Sequence, residues 1–109
     1  MLKPVVAALM LSFAVPAMAA DYQPNEWQQK ALDLINQEPK VHDAIWNQAI
    51  SVWVAVDDDG TDRRGYGEYV CILLNHAGKP VGEFVAITVV DYAAMLKGDF
   101  RQLGKAPCA

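Results

Sequence analysis

Ile50-Ser51-Val52-Trp53-Val54-Ala55-Val56 is an almost unbroken run of β-branched, aromatic and small apolar residues, and Glu83-Phe84-Val85-Ala86-Ile87-Thr88-Val89-Val90 is a second. Runs in which both alternating positions are apolar read as strands covered on both faces. Asp57-Asp58-Asp59-Gly60 marks a turn after the first run, and from about Arg63 to Ala77 the residues Tyr66, Tyr69, Val70, Leu73, Leu74 and Ala77 recur at three- and four-residue steps. That period predicts a helix packed along one stripe, capped by Thr61 or Asp62 and stopped by Gly78 in the C′ position. Strand, helix of about four turns, strand is the sequence form of a β-α-β unit with parallel strands.

The segments on either side are shorter signals. Downstream, Asp91 to Leu96 reads as a short helix ended by Gly98, and the tail to Cys108 as irregular, with room for a short strand between Phe100 and Leu103. Upstream, Asn25 can cap a helix and Gln28, three residues on, can reach back to the cap amide. This helix runs to about Gln37, with Trp27, Ala31, Leu34 and Ile35 as its apolar stripe. Pro39 disfavours helical geometry at Glu38. Beyond it, Lys40 to about Gln48 is expected to form a second helical segment, with Val41, Ala44 and Ile45 on one side. The fold class that follows is α+β: one small domain, N-terminal helical segments, then a β-α-β unit with a short sheet. Two strands alone leave two bare edges and are marginal. The helices and the tail are expected to complete the sheet within one chain, and a homodimer through a strand edge is the alternative.

The first nineteen residues have a different character. Met1-Leu2-Lys3-Pro4 is followed by an apolar run from Val5 to Val15, and Pro16-Ala17-Met18-Ala19-Ala20 then offers small side chains at positions 17 and 19. This is the pattern of a cleaved secretory signal ending after Ala19, with residues 20–109 as the mature domain. The apolar run would span only about 16 Å as a helix, against a bilayer core of about 30 Å. The expected destination is the periplasm or the medium, with no membrane span after processing.

Removing Lys3 takes the formal charge from −4 to −5, and the longest basic stretch is Arg63-Arg64. Nucleic acid and anionic membrane surfaces both require clustered Lys and Arg, so neither is an expected partner. The two cysteines, Cys71 and Cys108, are an even count in an exported chain and read as a disulfide.

Candidate chemistry is sparse. The cluster Asp57-Asp58-Asp59-Gly60-Thr61-Asp62 invites comparison with a calcium loop, but with Gly60 as the sixth position the first and twelfth would be Ala55 and Tyr66. Those positions require Asp and a bidentate Glu, so the cluster reads as a strand-to-helix turn with acids near a helix N-terminus. Arg63-Arg64-Gly65-Tyr66-Gly67 lacks the phosphate-loop pattern and its lysine. His42 and His76 lie far apart in sequence with nothing to complete a zinc site. Cys71 and His76, five residues apart on a helix, diverge by about 140° and cannot act as nucleophile and base. No cofactor is expected.

Trp46 lies to one side of the stripe set by Val41 and Ile45, where it would be solvent-facing, and exposed Trp residues are common contact anchors. The expected function is therefore a non-enzymatic envelope protein that binds another protein or a small ligand through Trp46, Asp59, Asp62, Arg63, Arg64 and Tyr66. An inhibitor- or immunity-like protein directed at a basic cell-wall enzyme fits the size and charge. The rival is a small metal-dependent hydrolase using Asp57, Asp59 or Asp62 with His76, and a dimeric accessory subunit is the third class.

Overall fold

The computed structural model describes residues 22–109, so the secretory signal of residues 1–19 lies outside the described residues. Helix α1 (Glu26–Asn36) is followed by strands β1 (Val41–Gln48) and β2 (Ser51–Val56), helix α2 (Arg64–Ala77), strand β3 (Val85–Asp91), the single-turn helix α3 (Tyr92–Met95) and strand β4 (Gln102–Cys108). The four strands form one sheet in the order β1-β2-β3-β4. β2 and β3 are parallel, joined by α2 as the two apolar runs require, and β1 and β4 flank them as antiparallel edges. The class is α+β, with a mixed sheet and a disulfide between Cys71 and Cys108.

Two segments differ from the sequence expectation. Residues 40–48 are strand β1, not a helix. Val41, Ala44 and Ile45 satisfy a helical step, but a segment of this length is marginal as an isolated helix and has little to nucleate it. As a strand it pairs residue by residue with β2 across the two-residue turn Ala49-Ile50, and buries Ala44 and Trp46. The tail is also more regular than expected. β4 runs seven residues against β3, from Gln102 to Cys108.

The capping box at α1 forms as its residues imply: Gln28 N–H donates to Asn25 Oδ1 at 3.1 Å, and Asn25 N–H to Gln28 Oε1 at 2.9 Å. Gln28 also links the helix to the hairpin, its Nε2 donating to Ala49 O at 3.1 Å. Gly78 ends α2 in the left-handed region, at φ 107°. At the other end of α2 the N-cap position is Arg63, which makes no side-chain cap bond, while Asp62 Oδ1 accepts from Arg64 N–H at 3.0 Å.

The main core lies between the helices and one face of the sheet. Ala31 and Ile35 from α1, Val70 and Leu74 from α2, and Val52, Val54, Val56, Val85, Ile87 and Val89 from the central strands are all fully buried there. α2 crosses so closely over β4 that a side chain at Gly104 would overlap the Arg63–Arg64 peptide. On the opposite face of the sheet Met95 of α3 packs with Ala55 and Val90, against Ile45, Trp53 and Tyr92, and Phe100 lies over Trp53.

Two stability measurements test this packing. Gly104→Ala must push β4 away from the backbone of α2 and is expected to lower the unfolding free energy by about 2 kcal/mol or more, read by urea denaturation. The disulfide closes a separation of 37 residues. Replacing both cysteines with Ser is expected to cost about 4 kcal/mol on the loop-entropy account, and two free thiols in the unreduced, denatured parent would refute the bridge.

Candidate functional site

The Asp57–Asp62 loop leaves the carboxyl end of β2, and the residues that meet it come from three other elements. His42 enters from β1, where it is the extra residue of a register irregularity between Val41, opposite Val56, and Asp43, opposite Ala55, and its Nε2 lies 3.0 Å from Asp57 Oδ1. The ring of His42 stacks on Tyr92 of α3 at a centroid distance of 4.2 Å. Arg101, just before β4, places one guanidinium nitrogen 2.6 Å from Asp58 Oδ2 and 2.7 Å from Asp91 Oδ2. Asp91 ends β3 and also accepts from Ala93 N–H at 3.1 Å, capping α3.

Beyond Asp57, the carboxylates of the loop have local partners. Asp58 accepts from Gly60 N–H at 2.9 Å, and Asp59 accepts from the Thr61 hydroxyl at 2.6 Å and its N–H at 3.0 Å. Arg63, 8% exposed, donates to Asp57 O at 2.8 Å and sits 3.4 Å from Asp59. The Gly60 amide, then Arg101, hold the Asp58 carboxyl below its ordinary range. The Thr61 hydroxyl and amide do the same for Asp59. Tyr66 is half-buried at the start of α2, and burial, with Glu38 nearby, pushes its phenol up to about 12. Its neighbour Tyr69 donates to Glu38 Oε2 at 2.8 Å, which raises that phenol too. Arg64 is exposed and lies 3.8 Å from Glu68 on the same helix.

Asp59, Asp62, Arg63, Arg64 and Tyr66 therefore do gather at one end of the molecule, as their adjacency implies. Trp46 does not join them. It is 1% exposed, points into the main core, donates its indole N–H to Gln28 O at 3.0 Å and meets Trp27 edge-on at 5.4 Å. As a strand residue it alternates with Ile45 instead of lying beside it, so it cannot be a surface anchor. The hydrolase set fails on distance as well. His76 is in the last turn of α2, about 18 Å along the helix from the loop by the helical rise. Among the described residues, no group of three or more His, Cys, Asp or Glu side chains is disposed to hold a metal ion.

The residues missed from the sequence are His42, Asp91 and Arg101, together with two aromatics on the thinly covered sheet face. Trp53 of β2 is half-buried, and Phe100 lies over it at a ring-centroid distance of 5.2 Å while remaining 39% exposed. A strand assignment for residues 40–48 would have brought His42 to Asp57. Nothing local marks Arg101 as a partner of residues 43 and 10 positions away.

This arrangement has a pH signature. Asp58 has a folded pKa below its unfolded value, so its stabilisation is present above about pH 4 and is lost as pH falls through the lower folded value. Asp58→Asn keeps an acceptor for Gly60 but loses the charge opposite Arg101. Its melting temperature is expected below that of the parent at pH 6, with the two curves converging as pH falls below the ordinary carboxylate range; parallel curves would refute the assignment. Comparison with known proteins returns no match among family models, curated proteins or solved structures.

Proposed function

We propose that the mature chain is a non-enzymatic binding protein of the cell envelope whose partner is a basic protein, engaged through the acidic end of the sheet. The observation that carries this reading is the Asp57–Asp62 loop, whose carboxylates are held in place by Gly60, Thr61, Arg63, Arg64 and Arg101. Side chains already ordered in the free protein lose little entropy on association. Asp57 and Asp59 nevertheless remain more than half exposed, at 79% and 52% of their side-chain surface. Fixed carboxylates on a chain of formal charge −4 attract a basic partner and set its orientation during encounter.

The disulfide fits an oxidising compartment, and no helix among the described residues is long and apolar enough to cross a membrane. With the N-terminal pattern, these support export to the periplasm or the medium. Basic cell-wall hydrolases are the natural first partners to test, which makes an inhibitor- or immunity-like role the specific form of the proposal.

Titration calorimetry of the mature chain with lysozyme, a lytic transglycosylase and an amidase tests it. Binding to at least one is expected at low ionic strength, weakening by about tenfold between 20 and 200 mM salt as surface charge is screened. Replacing Asp57, Asp59 and Asp62 together with Asn keeps the turn acceptors and should slow association. No heat with any of the three at 20 mM salt would sink the proposal.

A further inference from the structure

We infer that the uncovered face of the sheet, centred on Trp53, is the surface on which that basic protein docks; this rests on the binding reading above. β2 and β3 are apolar at most positions of both faces, with Ser51 and Thr88 the exceptions on the face away from α1 and α2 before β3 ends at Asp91, a pattern close to that of strands covered on both sides. The fold supplies one full cover. α1 and α2 bury Val52, Val54, Val56, Val85, Ile87 and Val89, whereas the other face has a helix of four residues that buries Ala55 and Val90 and leaves Ile45 and Trp53, packed at its edge, only partly covered.

What remains partly open is a stripe across the middle of the sheet. Register places Ile45, Trp53, Thr88 and Lys105 side by side on this face, with Ile45 and Trp53 half-buried, Thr88 buried between Trp53 and Lys105, and Lys105 exposed. Phe100 lies on Trp53 from one side. Phe84, 44% exposed, immediately precedes β3, and continued strand alternation puts it on the same side as Ala86 and Thr88. A half-exposed Trp fixed on a strand, with Phe side chains at the adjoining strand ends, offers large contact area with little entropy to lose, the property of interface anchors.

The charges around the stripe select the occupant. Asp43 shares the face, opposite Ala55, and Asp57 stands at its end, with Glu83 next to Phe84. Lys105 is the cation on the stripe, since Arg101 is engaged by Asp58 and Asp91. A second copy seated on the same face by a two-fold would bring these carboxylates against each other, which is unfavourable. Strand addition is also discouraged, because β1 carries two register irregularities and β4 contains Pro107. A basic partner presenting an apolar contact flanked by Lys or Arg matches both the aromatic centre and the acidic rim.

The test uses lysozyme, a lytic transglycosylase and an amidase as probes, with three variants of the mature chain. Phe84→Arg is expected to bind at least about tenfold more weakly, while Ile72→Arg on the outer side of α2, at a position 52% exposed, binds as the parent does. Complex formation should shift the tryptophan emission to shorter wavelength, and Trp53→Phe should remove that shift even if Phe84→Arg proves unstable. Equal binding by the parent and Phe84→Arg, or an emission shift that survives Trp53→Phe, would overturn this surface while leaving the binding reading intact. A parent dimer at micromolar concentration that Phe84→Arg dissociates would overturn it in favour of a self-interface. Failure of the parent to bind any probe removes the binding reading, and this surface with it.

Discussion

The parallel pairing of β2 with β3 is the constraint on which the rest of this small domain depends. Parallel strands need a crossover, so α2 must run back across the sheet, and its apolar stripe of Val70 and Leu74 then covers one face. A two-stranded pair would still be unstable, with two rows of unpaired backbone groups. β1 and β4 remove that liability by pairing antiparallel on either side, each drawn from a segment with only weak strand character of its own. The Cys71–Cys108 bridge then fastens the last strand to the crossover helix, at the point where the chain ends its pairing with Val85.

The same topology explains why charge gathers at one end. The loop after β2 and the end of β3 emerge together because parallel strands share a direction, which brings Asp57 and Asp58 near Asp91. Several carboxylates in so small a space would repel one another. Arg63 from beneath and Arg101 from the side separate them, and backbone amides of the loop take up the remaining acceptors. Surface ion pairs of this kind contribute little to stability individually. Their effect is to hold the loop in one conformation.

The two faces of the sheet are treated unequally. One is packed under two helices, and the other has a single helical turn and a pair of aromatics. The aromatic side chains there satisfy part of their contact requirement with each other, Phe100 on Trp53 and His42 on Tyr92, and leave the remainder to solvent. The inward-facing Trp46 shows that the chain buries an aromatic fully where the core requires it.

The sequence by itself determined the central β-α-β unit, the capping box at Asn25 and Gln28, the end of α2 at Gly78 and the pairing of the only two cysteines. These are local patterns or forced choices, written in residue spacing and in the conformational freedom of single residues. Only the tertiary structure decided the state of residues 40–48, because Val41, Ala44, Ile45 and Trp46 satisfy a helical step and a strand equally well, and pairing with β2 is what separates the two. That decision turned Trp46 inward and carried His42 to Asp57. The tail was settled in the same way: Gln102 to Cys108 becomes a strand because β3 presents an open edge, and Arg101 becomes part of the site because that strand begins beside Asp58 and Asp91. Long-range pairing depends on neighbours brought in by the fold, and no window of sequence around Arg101 or His42 contains them.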